Sequence, residues 1–404
     1  MVKEKKTEQY DVVIIGGGAS GLTAGIYCGR ARLKTLVIEQ ALVGGIATNT
    51  NAIENYPGFP EGISGIGLMN LFQKQAKKFG VEFKLTDVKT VNLTSKVKVV
   101  ETFRNRYEAK AVIICSGSKP RLTGAKNEEA YIGKGIAFCA TCDAAVNIDK
   151  EVVVVGSGDA AIEEGIFLTK FASKVTVSII HDEGMMDCNE IAKKTALTNP
   201  KMEFLHNTVV DHFEGEKGLK AVVLKNLKTE ELIPIDCAAC FLFIGYLPNT
   251  TIYKDVIKMT DKGYVVTNEN METNIHGVFA AGDVTDKYLR QVATCVGDAA
   301  TAGVMAENYI IESEMFENQI MQGDRIVYIY DASDINQLEL IPVIEAIQKE
   351  YTGYQYHKVD TYKSLGIAKR LGAENCPSLV IIKDGKVKII LSDCICEKIV
   401  KSLL

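Results

Sequence analysis

No stretch of the chain approaches the ~20 consecutive apolar residues of a membrane-spanning helix. The charged opening Met1-Val2-Lys3-Glu4-Lys5-Lys6 also has no apolar segment behind it before the first strand. Neither a secretory leader nor a membrane span is expected, and the reading is of a cytoplasmic protein. Basic charge is not in excess: 46 Lys and Arg stand against 51 Asp and Glu, a net charge of -5. With no basic run and no aromatic-interleaved Lys/Arg patch, nucleic acid is not an expected partner. The 11 cysteines are scattered over 404 residues, not spaced as a secreted disulfide framework, so most read as buried small apolar side chains. Zinc would need two cysteine pairs at matching spacing. The second C-x-x-C, Cys237 with Cys240, lies in an apolar run that reads as a buried strand, where i and i+3 point to opposite faces. No metal site is expected. With 47% hydrophobic and 24% charged residues the chain reads as ordered and globular, long enough for two or three domains.

What is present centres on Cys139-Ala140-Thr141-Cys142-Asp143. Two thiols separated by two residues close a small, readily reduced disulfide, and an acid directly after the second can move the proton that each exchange step requires. This reads as a redox centre with Cys139, Cys142 and Asp143 as its chemistry.

Taken in order, Tyr10-Asp11-Val12-Val13-Ile14-Ile15 has the length of a buried parallel strand and runs into Gly16-Gly17-Gly18-Ala19-Ser20-Gly21. That is G-x-G-x-x-G opening an Ala-rich helix, and Leu36-Val37-Ile38-Glu39 closes the βαβ unit with an acid. Glycines permit a tight turn and close approach to a pyrophosphate, the helix N-terminus favours its charge, and Glu39 can accept from ribose hydroxyls. Gly44-Gly45-Ile46 and the segment from Ile53 to Pro60 read as a shaped loop. A helix is expected over 68–79, then strands at 81–85, 91–100 and 111–115. At Glu151 the cycle repeats: Val152 to Val155, then Gly156-Ser157-Gly158-Asp159-Ala160-Ala161, a helix to about Phe171 and a strand from Val175 to Ile180. This second dinucleotide signature, with a redox dithiol between the two modules, is the layout of a flavin enzyme relaying electrons to a disulfide.

Five stretches together resemble the low-molecular-weight thioredoxin reductases. They are Gly16 to Gly21, Asn55 to Pro60, Cys139 to Asp143, Phe243 to Thr250, and Gly277 to Asp283 followed by Arg290-Gln291-Val292. The resemblance covers about the first 315 residues and implies an α/β architecture of two three-layer nucleotide-binding domains. An FAD domain formed by 1–118 and 248–315 would be interrupted by an inserted NAD(P)-type domain, 119–247, carrying the redox motif. It further implies FAD held by Gly16, Gly18, Ala19, Ser20, Gly21, Glu39, Gly44, Gly45, Ile46, Asn55, Val88, Gly117, Asp283, Arg290, Gln291 and Val292. A second nucleotide would rest on Gly156, Gly158, Asp159, Ala160 and Ala161. Members are usually homodimers in which the inserted domain rotates. Electrons would pass from a donor through FAD to the disulfide, with Cys142 on the flavin side and Cys139 attacking thioredoxin or a thioredoxin-like partner. Four departures stand out: Ile46 where Gln is common, Val146 in place of an aromatic run, Cys295 at a small apolar position, and His181-Asp182-Glu183-Gly184-Met185-Met186-Asp187 where NADPH users carry arginines. Acids repel a 2'-phosphate, so NADH is expected over NADPH, with a ferredoxin-type donor as the alternative.

A segment rich in Glu, Asn and Gln, 316–324, reads as a linker. Beyond it, 325–404 resembles the thioredoxin fold, with strands at 326–330, 354–359, 378–383 and 387–391, a helix over 338–350 interrupted at Pro342, and a helix over 365–371. Asp334 and Gln337 stand where the two cysteines of that fold belong. Cys376 and the pair Cys394 and Cys396 read as incidental thiols. Two rival functions share these features: a peroxide-system flavoprotein reductase, and a redox-sensing protein that uses its last domain to dock a partner.

Overall fold

The computed structural model describes residues 5–50, 53–392 and 395–403. Two compact units divide the chain, residues 1–303 and 304–404. The architecture is mixed α/β.

The first unit is built on a seven-stranded sheet. Lys6–Ile15 lies at its centre, with Thr35–Glu39 and then Glu82–Leu85 parallel on one side and Asn105–Ile114 parallel on the other. The start of Asn105–Ile114 pairs antiparallel with Lys98–Thr102, and its end pairs parallel with Val278–Ala280. The chain thus leaves this sheet after Ile114 and returns to it at Val278. Every residue from Val12 to Ile15 is buried, which is why the segment is continuously apolar. Along the strands the period of two sorts the side chains: Val13, Ile15, Leu36, Ile38, Val112, Ile114 and Val278 share one core with Tyr253 and Val265.

Between these two visits lies a five-stranded parallel sheet in the order Met202–Leu205, Lys174–Ser178, Glu151–Val155, Ala239–Leu242, Ile136–Ala137. Its central strand again feeds two cores. Val152 and Val154 pack with Ala161 and Ile162 of the helix Asp159–Leu168, while Val153 and Val155 pack with Val222 and Leu224 of the three-stranded antiparallel sheet 208–236. Ser118–Pro120 and Tyr246–Pro248, which enter and leave this region, pair antiparallel with each other.

Several expectations are corrected. The strand expected over 91–100 is two, Val88–Asn92 and Lys98–Thr102, because Asn92 Oδ1 accepts from the hydroxyls of Ser95 (3.1 Å) and Thr94 (3.4 Å) and closes a turn. Cys237 and Cys240 do not face opposite ways. The strand begins only at Ala239, so Cys237 precedes it, and both unbonded thiols pack into one core.

In the second unit, Arg325–Tyr330 pairs parallel with Gln355–Asp360 and antiparallel with Ser378–Lys383, which forms a hairpin with Lys386–Leu391. The first part of the expected linker is helical: Val292–Met315 runs into a wide helical turn, Phe316–Ile320, whose Ile320 is buried with Val327, Ile329 and Ile367, while 321–324 are turn and bend. Pro342 does not interrupt its helix, which spans Ile335–Glu350 and starts three residues earlier than expected, at a cap supplied by Asp334. The following helix is Thr361–Leu371, with non-helical backbone at Ser364. The Cys376–Pro377 peptide bond is cis. Cys394 lies outside the described residues, and Cys396 is an exposed free thiol.

Candidate active site

At the C-terminal edge of the first sheet, the turn after Ile15 is shaped by glycine. Gly16 has φ +108°, and a Cβ there would sit 2.2 Å from the Cys115 carbonyl oxygen. A Cβ on Gly21 would meet the Gly16 carbonyl oxygen at 1.8 Å, so helix Ala19–Arg30 can begin this close to the strand only without a side chain there. Gly18 caps the helix in extended backbone with no side-chain hydrogen bond, leaving the first N–H groups of Ala19, Ser20 and Gly21 for an anion. Glu39 Oε2 accepts from the Gly17 N–H at 2.7 Å and Oε1 from Ala41 at 3.0 Å, which fixes the strand-end acid beside the turn. Gly44 donates to the Gly17 carbonyl at 2.7 Å, drawing the Gly44-Gly45-Ile46 loop over the same turn, with Ile46 exposed. Val88 points into the core with Leu36 and Ile38 and does not line the cradle with its side chain. Gly117 sits at the crossing to the inserted region, its carbonyl accepting from Asn249 at 3.0 Å.

The returning segment closes the other side. Asp283 is largely buried, and desolvation raises its carboxyl above the usual range, opposed by the Cys295 thiol, which donates to Oδ1 at 3.2 Å. Burial pushes the Cys295 thiol itself up to about 12, so it is a packed hydrogen-bond donor and not a nucleophile. Arg290 lies over the Tyr264 ring, 4.2 Å from its centroid, and donates from Nη2 to the Thr285 carbonyl at 3.4 Å; its Nε is buried without a partner among the described residues. Gln291 accepts from Asn55 Nδ2 at 3.1 Å, and its own Nε2 reaches to 4.0 Å from Cys139 Sγ. Val292 opens the helix that follows. Uncapped helix donors, a cradle that side chains would fill and an orphaned guanidinium nitrogen fit an extended phosphate-bearing cofactor with a polar ring.

Cys139 and Cys142 form a disulfide, Cα–Cα 5.4 Å, with Cys139 at the N-cap of the four-residue helix Ala140–Asp143 and Cys142 within it. Both are half-buried. Burial raises the Asp143 carboxyl above its ordinary value, as suits a group that moves protons near neutral pH. Tyr246 donates to the Phe138 carbonyl at 2.8 Å and holds the segment leading into the motif.

The second glycine turn shares the form of the first: Gly158 caps helix Asp159–Leu168 without a side-chain bond, Ala160 is exposed beside it and Ala161 is buried. Its surroundings are acidic. Asp159 Oδ1 accepts from Asn189 N at 2.7 Å, and Asp187 Oδ2 accepts from Ser157 Oγ at 2.8 Å and lies 2.7 Å from His181 Nε2. These bonds, from Ser157 first, hold the Asp187 carboxyl below its ordinary range. Asp182 is not a bare charge, since it is ion-paired with Lys228, whereas Glu183 is exposed.

Residues 10–299 match the pyridine nucleotide-disulphide oxidoreductase family. The chain is 40% identical over 307 residues to the thioredoxin reductase of Peptoclostridium acidaminophilum, a span of 74% of this chain and 97% of that protein. It is 41% identical over 304 residues to that of Bacillus subtilis, 75% of this chain and 95% of the relative. The crystal structure of thioredoxin reductase from Streptococcus pyogenes overlays with a TM-score of 0.70 at 39% identity, covering 76% of this chain and 99% of that one. The chain belongs to the pyridine nucleotide-disulphide oxidoreductase family. It is an oxidoreductase, and its relatives within the family are low-molecular-weight thioredoxin reductases.

For this family member the fold brings Asn55, Gln291 and Cys139 into one chain of contacts, although they are far apart in sequence. It keeps Val88 apart, in the core. Sequence reasoning missed two participants. Lys228 reaches Asp182 from a hairpin turn, and Asn189 ties to Asp159. The Lys228 pairing has no sequence period to reveal it.

Proposed function

We propose that the protein is an FAD-dependent disulfide reductase that passes two electrons through Cys139–Cys142 to thioredoxin or a thioredoxin-like protein. The observation that carries this is the contact from Gln291, at the end of the glycine cradle, to the sulfur of Cys139. Bound FAD would supply two-electron exchange with the dithiol, its pyrophosphate at the first turns of Ala19–Arg30 and its ribityl chain beside Asp283. Glu39 would take ribose hydroxyls, and Arg290, Gln291 and Val292 would lie along the ring. Asp143 would give and take the proton of each thiol exchange, Cys142 facing the flavin and Cys139 attacking the partner. The protein would act in the cytoplasm as a homodimer, with residues 119–247 inserted between the two parts of the FAD domain.

For the donor, NADH is the reading over NADPH: no arginine stands at 182, 183 or 187, and Glu183 is exposed where a 2'-phosphate would lie. Lys228 offsets Asp182, so Glu183 carries the argument. A ferredoxin-type protein donor is the second reading. It is favoured by the Asp159 and Asp187 carboxylates, which flank the turn that any dinucleotide pyrophosphate would need.

Residues 325–404 are proposed as a thioredoxin-like domain without its dithiol, on the mixed sheet order and helix placement. Asp334 and Gln337 are joined there by a hydrogen bond of 3.0 Å, Gln337 Nε2 donating, so this domain is assigned to docking or assembly. The test is anaerobic bleaching of the flavin absorbance with NADH, NADPH and reduced ferredoxin in turn, followed by turnover of oxidised thioredoxin. Rapid bleaching by NADPH where NADH does nothing would overturn the donor reading. A protein that is bleached but never reduces a protein disulfide would overturn the reaction.

A further inference from the structure

An enclosed ion pair lies beside the glycine cradle. Lys287 Nζ is 2.6 Å from Asp298 Oδ2, with side chains only 14% and 21% exposed. Enclosing two charges costs desolvation that their attraction only roughly offsets, so such a pair is weak grounds for stability and points to a positional role. The same Asp298 oxygen accepts the Gly282 N–H at 3.2 Å. Asp298 sits three residues beyond Cys295 on helix Val292–Met315, so the two side chains share a face of the helix. Cys295 donates to Asp283 Oδ1 at 3.2 Å, while Asp298 takes the N–H of the glycine before it. The turn they grip is closed by Thr285, which donates from N (2.9 Å) and Oγ1 (2.8 Å) to the Gly282 carbonyl. It has no slack on its other side. Gly282 has φ +82°, and a Cβ there would lie 1.9 Å from Ser20 Oγ in the first turn of helix Ala19–Arg30. The helix start that would take the pyrophosphate and the acid that would take the ribityl chain thus meet at Gly282, and Asp298 holds the junction.

We propose that Lys287 and Asp298 are positioning residues for the cofactor: Asp298 pins the Gly282–Asp283 turn against the start of helix Ala19–Arg30, and Lys287 cancels the charge that Asp298 brings beside Asp283. This rests on the reading of Asp283 as the group beside the ribityl chain. The cancellation matters because neighbouring carboxylates in an enclosed site disfavour each other's ionised form. Without Lys287, Asp298 pushes Asp283 toward the protonated acid, a poorer acceptor for hydroxyls. Without the Asp298 charge, Lys287 pulls Asp283 the other way. Asp283 is also faced by Cys295 from helix Val292–Met315, by Arg290 from the loop leading into it, and by Tyr246 and Tyr264.

The test follows flavin release from the full-length holoenzyme on dilution, by the fluorescence of free flavin, over a range of pH. Wild type is compared with Lys287→Met, Asp298→Asn, the two combined, and each of these in an Asp283→Asn background. Asp298→Asn keeps a carbonyl oxygen for the Gly282 N–H, so it removes the charge and leaves the pin. In the wild type retention weakens as pH falls and Asp283 takes a proton. Lys287→Met should move that acid limb to higher pH and Asp298→Asn to lower pH, each by about one pH unit, or up to about tenfold in retention on the limb. The combined variant should return to the wild-type limb, and in the Asp283→Asn background neither substitution should shift it. Lys287→Met/Asp298→Leu has the same charge but no acceptor, and should release flavin more readily than Lys287→Met/Asp298→Asn at every pH.

A pair that only supported the fold would give no limb shifts of opposite sign. Shifts of one sign in both single variants, or none, would overturn the proposal, as would shifts that persist in the Asp283→Asn background. Equal retention in the Asn and Leu double variants would overturn the pin. Asp298→Asn carries the test if Lys287→Met fails to fold. Asp283→Asn with wild-type retention at every pH would instead overturn the reading of Asp283, and the proposal with it.

Discussion

Two alanine substitutions on one helix should act in opposite directions. In Gly21→Ala the new Cβ would lie 1.8 Å from the Gly16 carbonyl oxygen and 2.9 Å from its carbon. A carbon–oxygen contact needs about 3.3 Å, so helix and turn must part by about 1.5 Å. Both partners are backbone, and no side chain can swing away. Overpacking of this kind costs about 1–3 kcal/mol, of which alanine's better helix propensity offsets about 0.5–1. The net loss is up to about 2.5 kcal/mol, read as a fall of up to several degrees in Tm. Flavin content should fall with it, because a binding turn tolerates only about 0.5 Å of displacement. Gly25→Ala, one turn further along, meets Val81 Cγ1 at 3.4 Å and Val37 Cγ2 at 3.5 Å, which is ordinary contact. It should leave flavin content intact and match or exceed the wild-type Tm. The measurement is differential scanning calorimetry with flavin stoichiometry on both variants. Wild-type Tm and flavin in Gly21→Ala, or an equal loss in Gly25→Ala, would refute the steric account of this turn.

Cys139→Ser should give a long-wavelength absorbance band from a Cys142 thiolate against oxidised FAD and Cys142→Ser should give none; the reverse pattern would exchange the two roles. Asp143→Asn should slow disulfide reduction by about 10²-fold or more. The same substitution should raise Tm near pH 7, because burial raises the folded-state value of Asp143 and its charged form is the disfavoured one. Stability is therefore lost as pH rises from the unfolded value near 3.8 through the raised folded value, and the gain in Asp143→Asn should vanish below about 3.8, where both side chains are neutral. Truncation after Glu314 should preserve flavin content and the Cys139–Cys142 bond; complete loss of flavin would make the last residues part of the core.

The sequence by itself determined the elements whose signal is local. Val12 to Ile15 and Val152 to Val155 had to be strands covered on both faces, because no exposed strand is continuously apolar, and the glycines after each could only be turns into helices. The C-x-x-C spacing alone allowed the bond between Cys139 and Cys142. Where a local rule met a competing contact, the reading failed. Side-chain bonds to Asn92 broke an apolar run into two strands, and the apolar demand of Ile320 made the start of a polar linker helical. Only the tertiary structure decided what surrounds the chemistry. It brought Gln291 to Cys139, put Lys228 against Asp182, and tied Asn189 to Asp159. Each of these joins residues that no helical or strand period relates. The contact of Gln291 with Cys139 crosses the antiparallel pairing of Ser118–Pro120 with Tyr246–Pro248, from which the second sheet is hung, so it depends on that connection and not on the order of the side chains.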